Sequence, residues 1–160
     1  TFFSQLPILI IGYRYGIGQG LLTGFTMGVI EMLFGLKNFS YVTGIGSYLI
    51  LALADYIVAF SVLGLGAMFK KKIKNQALSL AAAGAVVSVL RFICHFISGV
   101  TIWKGYAEDT PVLLYSLTYN GSYMLPELIL TVVGAFAVGS LFDLNSPKFR
   151  PLRKAKKESK

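Results

Sequence analysis

Apolar residues run in long blocks along the chain, and polar ones gather in short clusters between them. Residues 2–13 (FFSQLPILIIGY) end at Arg14, and further blocks cover roughly 17–36, 46–69, 77–103 and 112–142. A helix needs about 20 residues to cross the hydrocarbon core of a bilayer, so the first block is short and the other four are full length. The pattern predicts an all-α, polytopic membrane helix bundle with five apolar segments. It is expected to form one transmembrane domain over residues 1–145, followed by a basic tail over 146–160. Glycine recurs at positions 12, 16, 20, 24 and 28. That spacing lines one face wherever the backbone is helical and favours close helix contact, with Gly18, beside the Arg14-Tyr15-Gly16 turn, as a candidate helix break.

Composition narrows the class further. Of 160 residues, 55% are hydrophobic and only 14% charged, against about a quarter charged in soluble domains. The 14% aromatic content and a mean hydropathy of +0.67 exclude a disordered chain. Cys94 is the only cysteine, which excludes a disulfide scaffold.

A net charge of +8 would suggest nucleic acid if it were spread over a face. It is concentrated instead at Lys70, Lys71, Lys72 and Lys74, and in the tail at Lys148, Arg150, Arg153, Lys154, Lys156, Lys157 and Lys160. Such clusters flanking apolar spans mark the cytoplasmic side, and no nucleic-acid partner is expected. With the lysine loop and the tail both cytoplasmic, 77–103 and 112–142 form an out-and-back hairpin, and Arg14 falls on the cytoplasmic side as well. Lys37 and Lys104 are then outside. The odd number of segments leaves Thr1 on the outer side with no initiator methionine and no basic flank, so a further helix upstream of Thr1 is expected.

Ionisable groups inside apolar spans each cost a few kcal/mol and need a partner or a wet cavity. Here they are Glu31, Asp55, Arg91, His95 and Glu127. Asp55 lies nine residues from position 46, His95 eight from Trp103, and Asn120 eight from position 112. At ~1.5 Å of rise per residue, all three reach roughly 12–14 Å below the outer surface, with Trp103 and Tyr115 above them. A carboxylate walled by aromatic rings, with imidazole and amide groups at the same level, suits a small cationic aromatic ligand. The blander alternatives stay open: Trp103 as an interfacial anchor, Asn120 as interhelical glue, His95 as a satisfied interior histidine, Asp55 as a structural ion-pair member. Arg91 and Glu127 lie deeper and are expected to pair. A single histidine, with no metal-ligand spacing, phosphate-binding lysine motif or nucleophile elbow, gives little support to an enzyme.

Residues 94–99 (CHFISG) leading to Trp103 and Tyr106-Ala107, and residues 115–127 (YSLTYNGSYMLPE), resemble the thiamine-specific S component of energy-coupling factor transporters. Pro7-Ile8-Leu9, the Arg14-Tyr15-Gly16 turn and Asp55-Tyr56 extend the likeness over most of the chain. The resemblance implies a six-helix substrate-binding subunit of the bacterial plasma membrane, multi-pass, with a cytoplasmic C-terminus and its ligand, thiamine, near the outer face. It implies no cofactor and no ATPase activity of its own. Its partners would be a transmembrane coupling subunit and two cytoplasmic ATPases, docked through a first helix upstream of Thr1. Residue by residue, it places Asp55 opposite the ligand, His95 and Trp103 stacked on its rings, Tyr56 as a wall, and Tyr115 and Asn120 as polar contacts. A further loop tyrosine is Tyr41 or Tyr48. An S component for another small vitamin or precursor is the nearest alternative. A stand-alone secondary transporter would be expected to show internal repeats and coupling-ion sites, which are not evident in the sequence.

Overall fold

In a computed structural model of the chain, the structure describes residues 4–152. Phe2 and Phe3 of the first apolar block, and the tail residues Arg153, Lys154, Lys156, Lys157 and Lys160, lie outside the described residues. Five helices follow one another: α1 (Gln5–Tyr15), α2 (Ile17–Phe34), α3 (Ile45–Ala67), α4 (Gln76–Thr101) and α5 (Val112–Leu141). Each corresponds to one apolar block. Helices α2 to α5 are each long and apolar enough to cross a membrane, so the chain is an all-α, multi-pass membrane protein. Short 3₁₀ turns at Leu36–Tyr41 and Lys104–Ala107 lie in the α2–α3 and α4–α5 connections.

The break between α1 and α2 falls at Gly16, whose φ of 96° an L side chain rarely adopts. Gly18, the break the sequence suggested, lies inside α2. The buried residues of α2 are Gly20, Gly24 and Gly28, so its glycine face is its contact face. Gly20 meets Gly64 of α3 so closely that a Cβ on either would collide with the other's backbone. Helices in lipid gain little from hiding apolar side chains from one another, and close backbone approach through small residues is a principal alternative source of packing energy. The short α1 is wedged beside this seam. Its Leu9 is fully buried with Leu63, Leu80, Ala83, Val87 and Ala135 of the longer helices, and its Gln5 accepts a hydrogen bond from Ser88 Oγ at 3.2 Å.

Polar contacts close one end of the bundle. Lys70 donates to the Tyr13 carbonyl at 3.0 Å, with its ammonium over the Tyr13 ring. The Arg14 guanidinium donates to the carbonyls of Asp143, Ser146 and Pro147 and lies against the rings of Tyr15 and Phe149. Residues 142–152 fold back here, pairing β1 (Phe142–Asp143) antiparallel with β2 (Arg150–Pro151). Gln76 binds the same segment, donating to the carbonyls of Gly139 and Phe142. Asn75 starts α4 as an N-cap, its side chain accepting from the amides of Ala77 and Leu78. Arg14, Lys70 and Arg150 therefore share one end, the arrangement the charge parity requires. Halfway up, the Arg91 guanidinium lies 4.6 Å from the centre of the Phe60 ring. Buried Glu127 is its leading charged neighbour, in keeping with the depth the two share.

Candidate ligand-binding site

At the opposite end, α3, α4 and α5 spread around a cavity of about 350 Å³. Helix α3 reaches it through an unusual stretch: Leu51–Ile57 winds as a π-helix. Such wider turns are rare and concentrate at functional sites. They narrow the angle between successive side chains, and here the neighbours Asp55 and Tyr56 both reach the cavity wall.

Asp55 is the centre of the polar wall. One carboxylate oxygen accepts a hydrogen bond from Trp103 Nε1 at 3.0 Å, and the other lies 3.3 Å from His95 Nδ1. The carboxylate is largely buried, with 13% of the side chain exposed, and among the described residues no lysine or arginine lines the cavity. His95 Nε2 is buried and has no hydrogen-bond partner among the described residues.

The α4–α5 side is stitched by Asn120. Its Nδ2 donates to the His95 carbonyl at 3.3 Å and to the Ser116 carbonyl at 3.0 Å, while its Oδ1 accepts from the Tyr123 hydroxyl at 2.7 Å. Ser116 Oγ donates across to the Phe96 carbonyl at 3.0 Å. The amide thus joins the two helices, and it fixes the height of His95 as it does so. Tyr115, Tyr119 and Tyr123 form an aromatic column on α5, with Tyr115 stacked on Tyr119 and Tyr123 edge-on to His95.

All six residues the sequence nominates, Asp55, Tyr56, His95, Trp103, Tyr115 and Asn120, line this one cavity. Of the two candidate loop tyrosines, Tyr41 lines it, whereas Tyr48 is stacked on Phe39 and is not among the lining residues. Sequence reasoning missed Asn38, Tyr106, Tyr119 and Tyr123. The signal for the last two was available, because they follow Tyr115 at intervals of four, the repeat of one helix face. Asn38 carries no such signal, since it sits in a turn whose course hydropathy does not reveal.

A sequence model of the family described as thiamine transporter protein (Thia_YuaJ) matches residues 1–142, a span that holds every cavity residue. The chain is 33% identical over 139 residues to the thiamine transporter ThiT of Bacillus subtilis, covering 81% of this chain and 69% of that protein. It is 29% identical over 145 residues to the thiamine transporter ThiT of Lacticaseibacillus paracasei, covering 82% and 68%.

Proposed function

The chain belongs to the thiamine transporter protein family, and on that premise we propose that its aromatic cavity is where the vitamin is held for uptake. The protein is a thiamine-binding transport subunit of the membrane, not an enzyme. Thiamine joins a permanently cationic thiazolium ring to a neutral aminopyrimidine, and the cavity answers both parts. Asp55 supplies the opposite charge, while Trp103, His95 and the tyrosines supply faces for stacking and cation–π attraction. Tyr56 serves as wall, its hydroxyl already bound to the protein. Asn120 offers a polar contact at the same wall and also holds the His95 backbone in place.

The single observation that carries this reading is the carboxylate of Asp55, largely buried at membrane depth with the His95 imidazole but, among the described residues, no lysine or arginine beside it. A largely buried carboxylate with no permanent counter-charge is costly, and a permanently cationic ligand supplies one. In the wider reading, the end bearing Arg14 and Lys70 faces the cytoplasm of a bacterial cell and the cavity faces outward, in accord with the positive-inside rule. The subunit hands its ligand to an energy-coupling factor assembly, whose coupling subunit and two ATPases do the work of ATP hydrolysis. The family likeness around His95 and Asn120 supports that assignment of partners.

Calorimetry on the purified full chain tests the site. Saturable one-to-one thiamine binding is expected, with the emission of Trp103, the only tryptophan, quenched at the same midpoint. Absence of binding overturns the reading, and binding with unchanged emission removes Trp103 from the ligand's surroundings.

A further inference from the structure

Asn38 sits in the turn Leu36–Tyr41 and lines the cavity. Its side-chain Nδ2 donates to the Tyr56 hydroxyl at 2.8 Å, and that hydroxyl donates in turn to the Gly35 carbonyl at 3.4 Å. The contact exists only because residue 35 is glycine, since a Cβ there would collide with the Tyr56 hydroxyl. The Tyr56 ring is itself held by burial and by stacking on Phe39. Tyr56 is therefore a fixed post, and it sets which way the Asn38 amide faces.

With Nδ2 bound to Tyr56, the amide oxygen is the end left over. Among the described residues the hydrogen bonds of Asn38 are its backbone N–H to the Gly35 carbonyl and its Nδ2 to Tyr56, so Oδ1 is an unused acceptor there, on a residue of the cavity wall. The other polar groups of that wall divide the work differently. Asp55 carries charge, while the Asn120 amide and the Tyr56 hydroxyl already bond within the protein.

We propose that Asn38 is a specificity-determining residue, whose Oδ1 accepts a hydrogen bond from a neutral O–H or N–H donor of the bound vitamin, with Tyr56 as its positioning residue. This inference rests on the cavity being the thiamine site. Thiamine offers two such donors, the hydroxyl of its hydroxyethyl group and the amino group of its pyrimidine.

The test pairs variants of the full chain with three ligands: thiamine, an analogue with ethyl in place of hydroxyethyl, and an analogue lacking the pyrimidine amino group. Replacing an acceptor by a group that leaves the ligand's donor unpaired costs about tenfold in affinity. N38L is expected to weaken thiamine by about that factor and to leave one analogue's affinity unchanged, which names the donor. Equal weakening of all three ligands would make Asn38 merely structural and overturn the proposal. N38D keeps an acceptor in place and adds a charge that favours a cation, so it is expected to bind thiamine at least as tightly as the native chain. If N38L does not fold, N38D decides alone, and its weakening thiamine tenfold overturns the proposal. A native chain that binds no thiamine removes the cavity assignment and this inference together. A native chain that binds, with N38L unaffected, removes only the inference.

Discussion

Helix α3 takes part in two contacts built on opposite rules. Over residues 56–64 it meets α2 backbone to backbone, where Gly20, Gly24 and Gly28 face its main chain and Gly64 leaves no room for a side chain. Over residues 51–57 it meets α4 through Asp55 and His95 and, with α4 and α5, borders a cavity walled by large aromatic and polar side chains. The seam is governed by distance and is indifferent to hydrogen bonding. The cavity is governed by charge and donor–acceptor pairing. Tyr56 belongs to both, since its backbone carbonyl abuts Gly28 and its side chain lines the cavity. A shift of α3 at the seam would therefore move Asp55 and Tyr56 with it, which makes the glycine face a precondition of the binding geometry.

The sharpest way to break this contrast is to add atoms to the seam. Gly64→Leu places a branched side chain against the Gly20 backbone, where neither side can yield. Overpacking of side chains costs about 1–3 kcal/mol, and a backbone obstacle raises that further. The expected result is loss of monodisperse protein in size-exclusion chromatography. A Gly64→Leu protein that melts within a few degrees of the native one would show that the two helices are not in contact there.

Asp55→Asn probes the other rule with almost no change of shape. The side chain can still accept from Trp103, but the charge is gone. A hydrogen-bonded charge is worth about 1.5–3 kcal/mol, so thiamine is expected to weaken ~10- to 100-fold. The melting temperature of the empty protein should change little, because the desolvation cost of the carboxylate and its pairing with His95 are lost together. An uncharged aminopyrimidine fragment should lose much less affinity than thiamine. Equal losses for both ligands, measured by titration calorimetry, would assign Asp55 a structural role.

The two regions also differ in how much of them the sequence discloses. All five helices were legible, because runs of apolar residues of this length have few other uses. So was the common level of Asp55, His95 and Asn120, which follows from counting along straight helices. One side of the seam was legible as well, in the spacing of Gly20, Gly24 and Gly28. Its glycine partner on α3 was not, because Gly64 lies where the helix tightens into a 3₁₀ turn and belongs to no four-residue repeat. The π-helical turn under Asp55 was hidden too, since hydropathy does not record how tightly a helix is wound. Asn120, expected among the ligand's polar contacts, lines the cavity and also holds α4 to α5 through its amide. Sequence gives the depth of a polar group but not which neighbour uses its hydrogen bonds.

A smaller effect is expected at Trp103, where one atom does two jobs. Trp103→Phe keeps an aromatic face and removes the Nε1–H that holds Asp55. Loss of a hydrogen bond to a carboxylate, set against retained stacking, predicts a five- to tenfold fall in thiamine affinity by calorimetry, about 1–1.5 kcal/mol. A fall as large as that of Asp55→Asn would mean that the indole face itself carries the binding energy.

The finest test of the contrast uses the two loop tyrosines, which the sequence left equivalent. Tyr41 lines the cavity, so its hydroxyl is placed where pairing counts. Tyr48 is stacked on Phe39 at a centroid distance of 6.1 Å, and Phe39 is stacked in turn on Tyr56 at 6.4 Å, a relay of ring faces in which a hydroxyl has no part. Removing one neutral hydrogen bond costs roughly 0.5–1.5 kcal/mol, so Tyr41→Phe is expected to weaken thiamine about three- to tenfold. Tyr48→Phe preserves the stacked face and should stay within about twofold of the native chain, which is under ~0.5 kcal/mol. Tyr48→Ala removes the face as well. It should lower the melting temperature, because the Phe39 ring against Tyr56 loses its outer support, and affinity should fall only as far as Tyr56 moves. If Tyr48→Phe proves the more damaging of the two phenylalanine variants, the connection between α2 and α3 presents a different residue to the ligand when the site is filled, and pairing rather than stacking governs there too.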